Sequence, residues 1–158
     1  MTKVLIGVIL VLGCFAPHLV MGQLNTSSFE SIDSLQKVEY RPVVVFIHTD
    51  WCKYCQQMKH TTFKNQEVVN ELNSKFYFVD FNGESKDEIT YLGNKFKYNP
   101  TGAKAGVHEL AQELGTIKGK LNYPCICILN AKNEITFQYG GKMDKKSLMA
   151  VLSESNSK

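Results

Sequence analysis

The sequence predicts an α/β fold, with one mixed β-sheet of four to five strands, helices on both faces and a small hairpin insertion. The run Val43–Ile47 is β-branched and apolar on both faces, as in a central buried strand. Helical spacing of apolar residues precedes this strand, follows it and returns near the C-terminus. Apolar segments at 125–129 and 135–139 are joined by a short turn, which indicates an antiparallel hairpin beside the parallel strands.

The first half of the chain supplies a strand between helices. The apolar residues of the first helix recur near helical spacing: Phe29, Ile32, Leu35 and Val38. Ser28 is placed to cap this helix, and Pro42 ends it. We expect a second helix at or just after Cys52, a third over 65–74 and a strand over 76–81.

The second half begins with a small insertion. Residues 89–98 alternate about a Gly-Asn turn and predict a hairpin, which is followed by a loop over 99–106 and a short helix over 107–114. Pro124 opens the first strand of the C-terminal hairpin. Asp144 is placed to cap the last helix.

Residues 1–22 have the pattern of a secretory signal, with Lys3 at the start, an apolar run over 4–12 and small residues toward the end. The apolar run is shorter than the roughly 20 residues that span a bilayer. We therefore expect a signal peptide over 1–22, a short lead-in over 23–27 and one domain over 28–158.

Two cleavage sites compete within that signal. Cleavage before Gln23 fits the small residue Gly22, whereas residues 11–14 resemble a lipoprotein box that leaves a lipidated Cys14. The apolar residues after Cys14 do not suit a lipoprotein tether, which is usually polar. The favoured expectation is soluble export to the periplasm, with a lipid-anchored envelope protein as the alternative.

The formal net charge of +3 is spread along the chain without a basic block, so nucleic-acid binding has no electrostatic support. Of the five cysteines, four lie beyond the signal: Cys52, Cys55, Cys125 and Cys127. Four are too few to staple a domain of this size, so their spacing carries the information.

Cys52 ends the loop after a buried strand and begins a helix, so the helix dipole and the neighbouring Lys53 both favour its thiolate. Cys55 lies within one turn and can resolve a mixed disulfide formed at Cys52. Two other interpretations stay open. The pair can be half of a zinc site completed by Cys125 and Cys127, or a structural disulfide, although that bridge constrains little.

The segment 50–55, with Met58 and Phe63 after it, resembles the active-site segment of thioredoxin-like proteins. The nearest resemblance is to bacterial envelope members, including the C-terminal domain of the disulfide reductase DsbD. Tyr123-Pro124 before an apolar strand is similar to the family's cis-proline loop, and Gly140-Gly141 before the last helix also fits. The resemblance covers about residues 28–153 and implies the thioredoxin fold.

The resemblance also implies roles. Cys52 is the exposed nucleophile and Cys55 the buried resolving thiol, while Trp51 shields the pair. Pro124 is expected to hold a cis bond facing the sulfurs, and Tyr123 to offer backbone groups to the substrate chain. The implied partners are protein disulfides or dithiols and an electron-donor protein. No cofactor and no metal are expected, and the protein itself is expected to be a monomer.

Several residues depart from the family pattern. Phe46 stands six residues before Cys52, where many thioredoxins carry a buried acid, and Asp50 is a solvent-exposed substitute at best. His48 either tunes the thiolate near neutral pH or, as the favoured interpretation, is a solvated residue at the loop edge. Lys53-Tyr54 between the thiols does not fix the reduction potential.

Cys125 follows Pro124 directly, so we expect its backbone close to the Cys52–Cys55 pair. Cys125 and Cys127 alternate onto one side of their strand, and one face of that strand is expected to meet the active-site helix. Two buried apolar thiols are the favoured interpretation, against a redox relay or a third ligand. A disulfide between them is excluded by strand geometry.

Two functions follow from the sequence. The first is an exported thiol–disulfide oxidoreductase that reduces or exchanges disulfides of envelope proteins. The second is a copper- or zinc-binding protein of the same fold, with Cys52 and Cys55 as ligands together with Cys125 or His48. The direction of electron flow and the physiological partner are not encoded in these motifs.

Overall fold

The computed structural model describes residues 22–103 and 105–155, which form five α-helices, ten β-strands and one 3-10 turn at Thr62–Lys64. The helices are α1 (Phe29–Val38), α2 (Lys53–His60), α3 (Gln66–Lys75), α4 (Glu109–Gly115) and α5 (Lys145–Ser155). The longer strands are β1 (Val43–His48), β2 (Tyr77–Asn82), β9 (Cys125–Leu129) and β10 (Ile135–Gly140). The short strands are β3 (Ile89–Tyr91), β4 (Asn94–Phe96), β5 (Tyr98–Pro100), β6 (Gly106–His108), β7 (Thr116–Ile117) and β8 (Lys120–Leu121).

The four longer strands form one mixed sheet in the order β10-β9-β1-β2. Strand β1 runs parallel to β2 and antiparallel to β9, and β9 runs antiparallel to β10. Every residue of β1 is buried, as expected for an interior strand of this composition. The predicted α/β fold with a four-stranded mixed sheet is therefore confirmed.

Helices cover both faces of the sheet and divide the core in two. We call the side packed on α1 and α4 the α1 face, and its buried sheet residues are Val43, Val45, Ile47, Val79, Phe81, Cys125, Cys127 and Leu129. We call the side packed on α2, α3 and α5 the α2 face, and its sheet residues are Val44, Phe46, Phe78, Ile126 and Ile128. This alternation follows from the two-residue period of a strand, and it decides which side chains reach the candidate site.

The predicted hairpin over 89–98 is present as β3 and β4, with both turn residues, Leu92 and Gly93, at positive φ. It lies on the α1 face, where Tyr91 contacts the ring of Phe29 at a centroid distance of 5.2 Å. The insertion thus contributes apolar side chains to the core in addition to its exposed turn.

The expected loop over 99–106 and helix over 107–114 were partly wrong, because β5 pairs with β6 across this segment. Helix α4 begins later, at Glu109, since His108 stays extended and caps it by accepting from the Leu110 N–H at 3.2 Å. His108 is fully buried, and its Nε2 lies 3.0 Å from the Asp87 carbonyl oxygen. A histidine with both ring nitrogens engaged fixes where the strand ends and the helix begins.

Two other helix starts were tested. Asp144 caps α5 as predicted, accepting from the Ser147 N–H at 2.8 Å. Ser28 precedes α1, but its side chain makes no capping hydrogen bond, and the Ser31 hydroxyl donates instead to the Ser28 carbonyl at 2.8 Å.

The lead-in is tied to the domain. The Asn25 N–H donates to the Asn73 side chain at 2.9 Å, Asn73 donates back to the Gln23 carbonyl at 2.8 Å, and the Ser27 N–H donates to the Phe78 carbonyl at 2.8 Å. The predicted signal, apart from Gly22, and the Cys14 site lie outside the described residues. Within the described part of the chain, none of the helices has the length and apolar character needed to cross a bilayer.

Candidate active site

Strand β1 delivers the chain to the edge of the sheet, where Cys52 becomes the N-cap of α2. The Cys52 N–H donates to the Thr49 carbonyl at 3.3 Å, and its sulfur accepts from the Cys55 N–H at 3.1 Å. Cys52 and Cys55 are joined by a disulfide with a Cα–Cα distance of 5.2 Å. The local turn thus brings the two sulfurs together, as the sequence predicted from their spacing.

The N-terminus of α2 favours a negative charge on the Cys52 sulfur once the bond is reduced. Its first backbone N–H groups lack helical partners, and one of them already points at this sulfur. Lys53, the charged residue of the first turn, adds a positive charge of the same effect. These groups therefore favour a negative charge at Cys52 over one at a cysteine in the middle of a helix.

Accessibility differs between the two cysteines. Cys55 is completely buried on the α2 face, as implied for a resolving thiol. Cys52 is 5% exposed, less than the resemblance implied, and it is still the more accessible sulfur of the pair. Cys52 is therefore the sulfur of the pair that a second molecule can reach.

Trp51 stands beside this opening and is 67% exposed. Its indole N–H donates to both carboxylate oxygens of Glu84, each at 3.1 Å, and its ring meets Tyr123 edge-on at 6.0 Å. The resemblance placed Trp51 as a shield, but the sequence pattern did not single out Glu84. Glu84 lies just after β2, so its position past a strand end was the available signal.

The Tyr123–Pro124 peptide is cis, as predicted. The Gly141 N–H donates to the Pro124 carbonyl at 2.8 Å, which ties the end of β10 to this loop. Burial, followed by the nearby charge of Glu84, raises the pKa of Tyr123 to about 12. Its hydroxyl is buried without a hydrogen-bond partner among the described residues.

Tyr123 rests on the backbone of Gly83, a residue that sequence reasoning missed. A Cβ at Gly83 would lie 2.6 Å from the Tyr123 hydroxyl oxygen. The Gly83 N–H donates to the His48 carbonyl and its own carbonyl accepts from the His108 N–H, both at 2.8 Å. Gly83 is therefore held by backbone hydrogen bonds to the ends of β1 and β6, and the Tyr123 side chain packs directly against it.

The expectation that His48 is solvated was wrong. His48 is 6% exposed and stacks on Phe46 at a centroid distance of 5.5 Å. Its Nε2 lies 2.9 Å from Asp80 Oδ1 and 3.0 Å from Lys59 Nζ, and Lys59 also donates to Asp80 Oδ2 at 2.9 Å. The histidine is buried because these two partners satisfy its Nε2 edge while Phe46 covers one side of the ring.

Asp80 and Lys59 were not identified from the sequence. Burial alone raises the pKa of the Asp80 carboxyl, but hydrogen bonds from His48 and then Lys59, with their charges, hold that pKa below its usual range. The available signals were a single acid inside the apolar strand β2 and a lysine four residues after Cys55.

The remaining sequence candidates lie at the surface of the site. Asp50 is exposed, as expected, and accepts from the Asn82 side-chain amide at 3.3 Å. Lys53 and Tyr54 are exposed too, and Tyr54 turns 62% of its surface to solvent. Tyr54 and Trp51 therefore present two aromatic side chains next to the reactive pair.

Cys125 does not join the pair. It lies on the α1 face with Cys127, whereas Cys52 and Cys55 lie on the α2 face. The favoured interpretation of two buried thiols is therefore confirmed, and their backbone neighbour Pro124 does not bring them to the active-site helix. The strand alternation puts Ile126 on the α2 face instead. Burial raises the pKa of Cys125 to about 11 and that of Cys127 to about 12, so both remain protonated thiols.

A family model described as thioredoxin-like matches residues 34–131, which is more than half of the chain. The chain belongs to the thioredoxin-like family. The match spans the Cys52–Cys55 segment and the cis-proline loop at Tyr123–Pro124. A search among curated proteins finds no match to this sequence.

Solved structures agree with this thioredoxin-like assignment. A DsbH oxidoreductase is 15% identical with a TM-score of 0.60, and 92% of each chain is covered. A thioredoxin from Thermus thermophilus is 19% identical with a TM-score of 0.60, covering 84% of this chain and 87% of its own. The reduced DsbD C-terminal domain from Neisseria meningitidis is 16% identical with a TM-score of 0.52, covering 80% and 91%. At these identities the likeness shows the thioredoxin-like fold.

Proposed function

We propose that this thioredoxin-like protein is an exported thiol–disulfide oxidoreductase that reduces or exchanges disulfides of envelope proteins through Cys52 and Cys55. The observation that carries the proposal is the placement of a closed, reducible sulfur pair at the N-terminus of α2, with one sulfur buried and the other slightly open. A helix N-terminus stabilises the thiolate that the exchange reaction requires.

The reaction begins with the reduced protein. The Cys52 thiolate attacks one sulfur of a substrate disulfide, so that bond breaks and a Cys52–substrate disulfide forms. Cys55 then loses its proton and attacks the Cys52 sulfur, which breaks the mixed disulfide and closes the Cys52–Cys55 bond. Two electrons pass to the substrate, which leaves as two thiols after taking up protons.

The surroundings of Cys52 suit a polypeptide substrate. Trp51 and Tyr54, one residue before and two residues after the nucleophile, expose aromatic surface, and such side chains are favoured in protein contacts. The cis-proline loop, with Tyr123 against Trp51, borders the same opening. A disulfide-bearing chain laid along this loop brings its sulfur to the accessible side of the pair.

Export to the envelope is supported by the signal pattern of residues 1–22. The resemblance of segment 50–55 to the active-site segment of bacterial envelope members of the family supports the same compartment. An electron-donor protein would return the Cys52–Cys55 bond to its reduced form after each turnover. We propose a monomer that meets both partners in turn through this face.

The metal-binding alternative loses a ligand in this arrangement. Cys125 lies across the sheet from Cys52 and Cys55, so it cannot complete a site with them. Within residues 22–103 and 105–155, no cluster of three His, Cys, Asp or Glu side chains is placed to hold a metal ion. The sulfur pair alone does not fill the four positions of a structural zinc site.

The decisive experiment compares disulfide reduction by the wild type, Cys52→Ser and Cys125→Ser in the presence of dithiothreitol, with insulin as the substrate. We expect Cys52→Ser to abolish the protein-dependent rate and Cys125→Ser to keep most of it, because only Cys52 lies at the opening. A wild type with no rate above the dithiothreitol background, together with stoichiometric copper or zinc after purification, would overturn the proposal.

A further inference from the structure

The resolving step of the proposed reaction requires a base beside a buried thiol. Cys55 is completely buried on the α2 face, so bulk water does not reach its sulfur directly. Its thiol must lose a proton before it can attack the mixed disulfide, because the thiolate is the nucleophile. The β1 side chains in the same buried cluster as Cys55 are Val44 and Phe46, and neither of them can accept a proton.

An acid lies beside Phe46 on the neighbouring strand instead. Asp80 pairs in register with Phe46 across the parallel β1–β2 ladder, so the two side chains project to the same face. Phe78, two residues before Asp80, belongs to the α2 face with Cys55, which confirms the side. The carboxylate thus lies on the same face of the sheet as Phe46, but on the neighbouring strand β2.

His48 and Lys59 connect this acid to the surroundings of the disulfide. Lys59 lies four residues after Cys55, on the same side of α2, with its Nζ 5.9 Å from the centre of the Phe46 ring. His48 stacks on the same ring, which itself packs in the cluster that contains both redox cysteines. The charged groups facing His48 are therefore Asp80 from β2 and Lys59 from α2, while Asp50 on the following loop is exposed.

The hydrogen bonds restrict the proton arrangement on the imidazole. His48 Nε2 cannot donate to Asp80 and accept from Lys59 at the same time, although it lies within 3.0 Å of both. Lys59 already donates to the second Asp80 oxygen at 2.9 Å, which leaves Oδ1 for the Nε2–H of His48. In that arrangement Nδ1 keeps its lone pair, and this buried atom has no partner among the described residues.

We propose that His48, oriented by Asp80, takes the proton of Cys55 when Cys55 attacks the mixed disulfide at Cys52. The proton moves from the Cys55 sulfur to His48 Nδ1, either directly or through one water molecule. The Cys55–Cys52 bond then forms and the substrate leaves as a thiolate, with both electrons of the broken bond. The Asp80 carboxylate stabilises the imidazolium, as a carboxylate does when it holds the opposite edge of a histidine that acts as a base.

The proton has a route out of the protein. A cavity of about 330 Å³ is lined by Phe46, Lys59 and Asp80, which places water-sized space against the cluster. The lead-in contributes Leu24 to the wall of this cavity. Loss of the Nε2 proton through Asp80 and this space makes the ring neutral as its Nδ1–H form. When the Cys52–Cys55 bond is next reopened, Cys55 leaves as a thiolate and takes the Nδ1 proton back, while water returns a proton to Nε2, so the base is restored for the next turnover.

This inference rests on the dithiol chemistry of the proposed function, and glutathione tests it without a physiological substrate. The reduced protein is mixed with oxidised glutathione between pH 5 and 9, and acid-quenched samples are resolved by mass spectrometry. The first step is the formation of the Cys52–glutathione disulfide, and the second is the release of glutathione by Cys55. We expect His48→Gln to slow the second step at least about tenfold near pH 7 and to leave the first within about twofold.

The pH profile separates a base from a merely structural residue. In His48→Gln the release rate should keep rising with pH up to the pKa of an unassisted thiol, about 8.5. In the wild type the release rate should reach its plateau at lower pH. His60→Gln is the control for loss of a histidine, since His60 is exposed at the end of α2 and lines the same cavity but does not contact Asp80 in place of His48. It should leave both rates within about twofold of the wild type. If His48→Gln does not fold, Asp80→Asn replaces it as the test, because Asp80 is partly exposed. This variant should shift the pH profile of the release rate in the same direction.

The inference would be overturned if His48→Gln released glutathione with the wild-type rate and pH profile. If His48→Gln does not fold, the same result in Asp80→Asn would overturn it. So would a uniform slowing at every pH, because a packing defect changes the rate without moving the profile. Failure of the proposed function looks different. Wild type would then fail to reduce insulin while glutathione release still depended on His48.

Discussion

At the scale of single residues, the sheet gives the four cysteines in the described part of the chain two chemical environments. Cys52 and Cys55 lie at a helix N-terminus on the α2 face, where a thiolate is stabilised. Cys125 and Cys127 lie inside the core of the α1 face, where burial opposes ionisation. Position on the sheet, more than distance along the chain, therefore decides which sulfurs react.

This contrast predicts the alkylation pattern of the reduced, folded protein. With iodoacetamide at pH 8, Cys52 should be modified within minutes, whereas Cys125 and Cys127 should stay unmodified because burial raises the pKa of their thiols to about 11 and 12. Mass spectrometry of proteolytic fragments measures the pattern, and the same reaction in urea should label all four. Rapid native labelling of Cys125 would contradict this placement.

The residue scale also shows where sequence reasoning stops. The Cys52–Cys55 pair was predicted because local spacing determines it, and cis-Pro124 was predicted from the resemblance to the thioredoxin-like family. The environment of His48 was not, because its partners come from β2 and α2, which meet only in the folded chain. The face occupied by Cys125 also depends on the register between β1 and β9, which the sequence does not display.

At the scale of elements, the segment after β2 is part of the active-site wall. The backbone of Gly83 packs against the Tyr123 ring, and Glu84 accepts a hydrogen bond from the indole N–H of Trp51. The insertion fixes this segment in turn, since the His108 N–H donates to the Gly83 carbonyl. The geometry of the substrate opening therefore depends on a strand end, a loop and an insertion together.

Gly83→Ala tests this dependence. A methyl group 2.6 Å from the Tyr123 hydroxyl oxygen must displace that ring, so we expect the insulin-reduction rate to fall severalfold through a higher KM. The matched control is Gly102→Ala, where the added methyl group has open space around it and activity should not change. Equal activity of the two variants would show that Tyr123 moves freely.

At the scale of the whole molecule, one ion cluster joins three elements of the fold. Asp80 on β2 links His48 at the end of β1 to Lys59 on α2. A carboxyl whose pKa is lower in the folded chain than in the unfolded chain stabilises the fold above its unfolded pKa. That stabilisation is lost as the pH falls through the folded pKa. Asp80 is such a carboxyl.

Acid titration should therefore distinguish Asp80→Asn from the wild type. Between about pH 5 and pH 3 the wild type should lose more free energy of unfolding than the variant. We expect the difference to be about 1 kcal/mol or less, because Asp80 is one-third exposed and partly screened. Urea denaturation at several pH values measures this, and curves that stay parallel down to pH 3 would exclude a role for Asp80 in acid stability.

Most of the overall architecture was predictable because it follows from periodicity. The buried run of β1, the C-terminal hairpin and the apolar face of α5 are each encoded within one segment. The pairing of β5 with β6 was missed, because its short polar strands have no hydrophobic pattern of their own. His108 ends β6, and one of its two ring contacts is to the Asp87 carbonyl oxygen, 21 residues away in the chain.

The position of Gly83 constrains how this protein can diversify. The insertion is the natural place to vary partner choice, yet its base is hydrogen-bonded to the backbone on which Tyr123 rests. Changes near that base alter the reactive opening as well as the outer surface, so partner preference and thiol reactivity cannot evolve there independently. The turn at Leu92–Gly93 is exposed, but both of its residues have positive φ, so the exposed neighbours Thr90 and Lys95 are freer to change than the turn itself. Lineages, or engineers, can vary those two positions while the chemistry stays as it is.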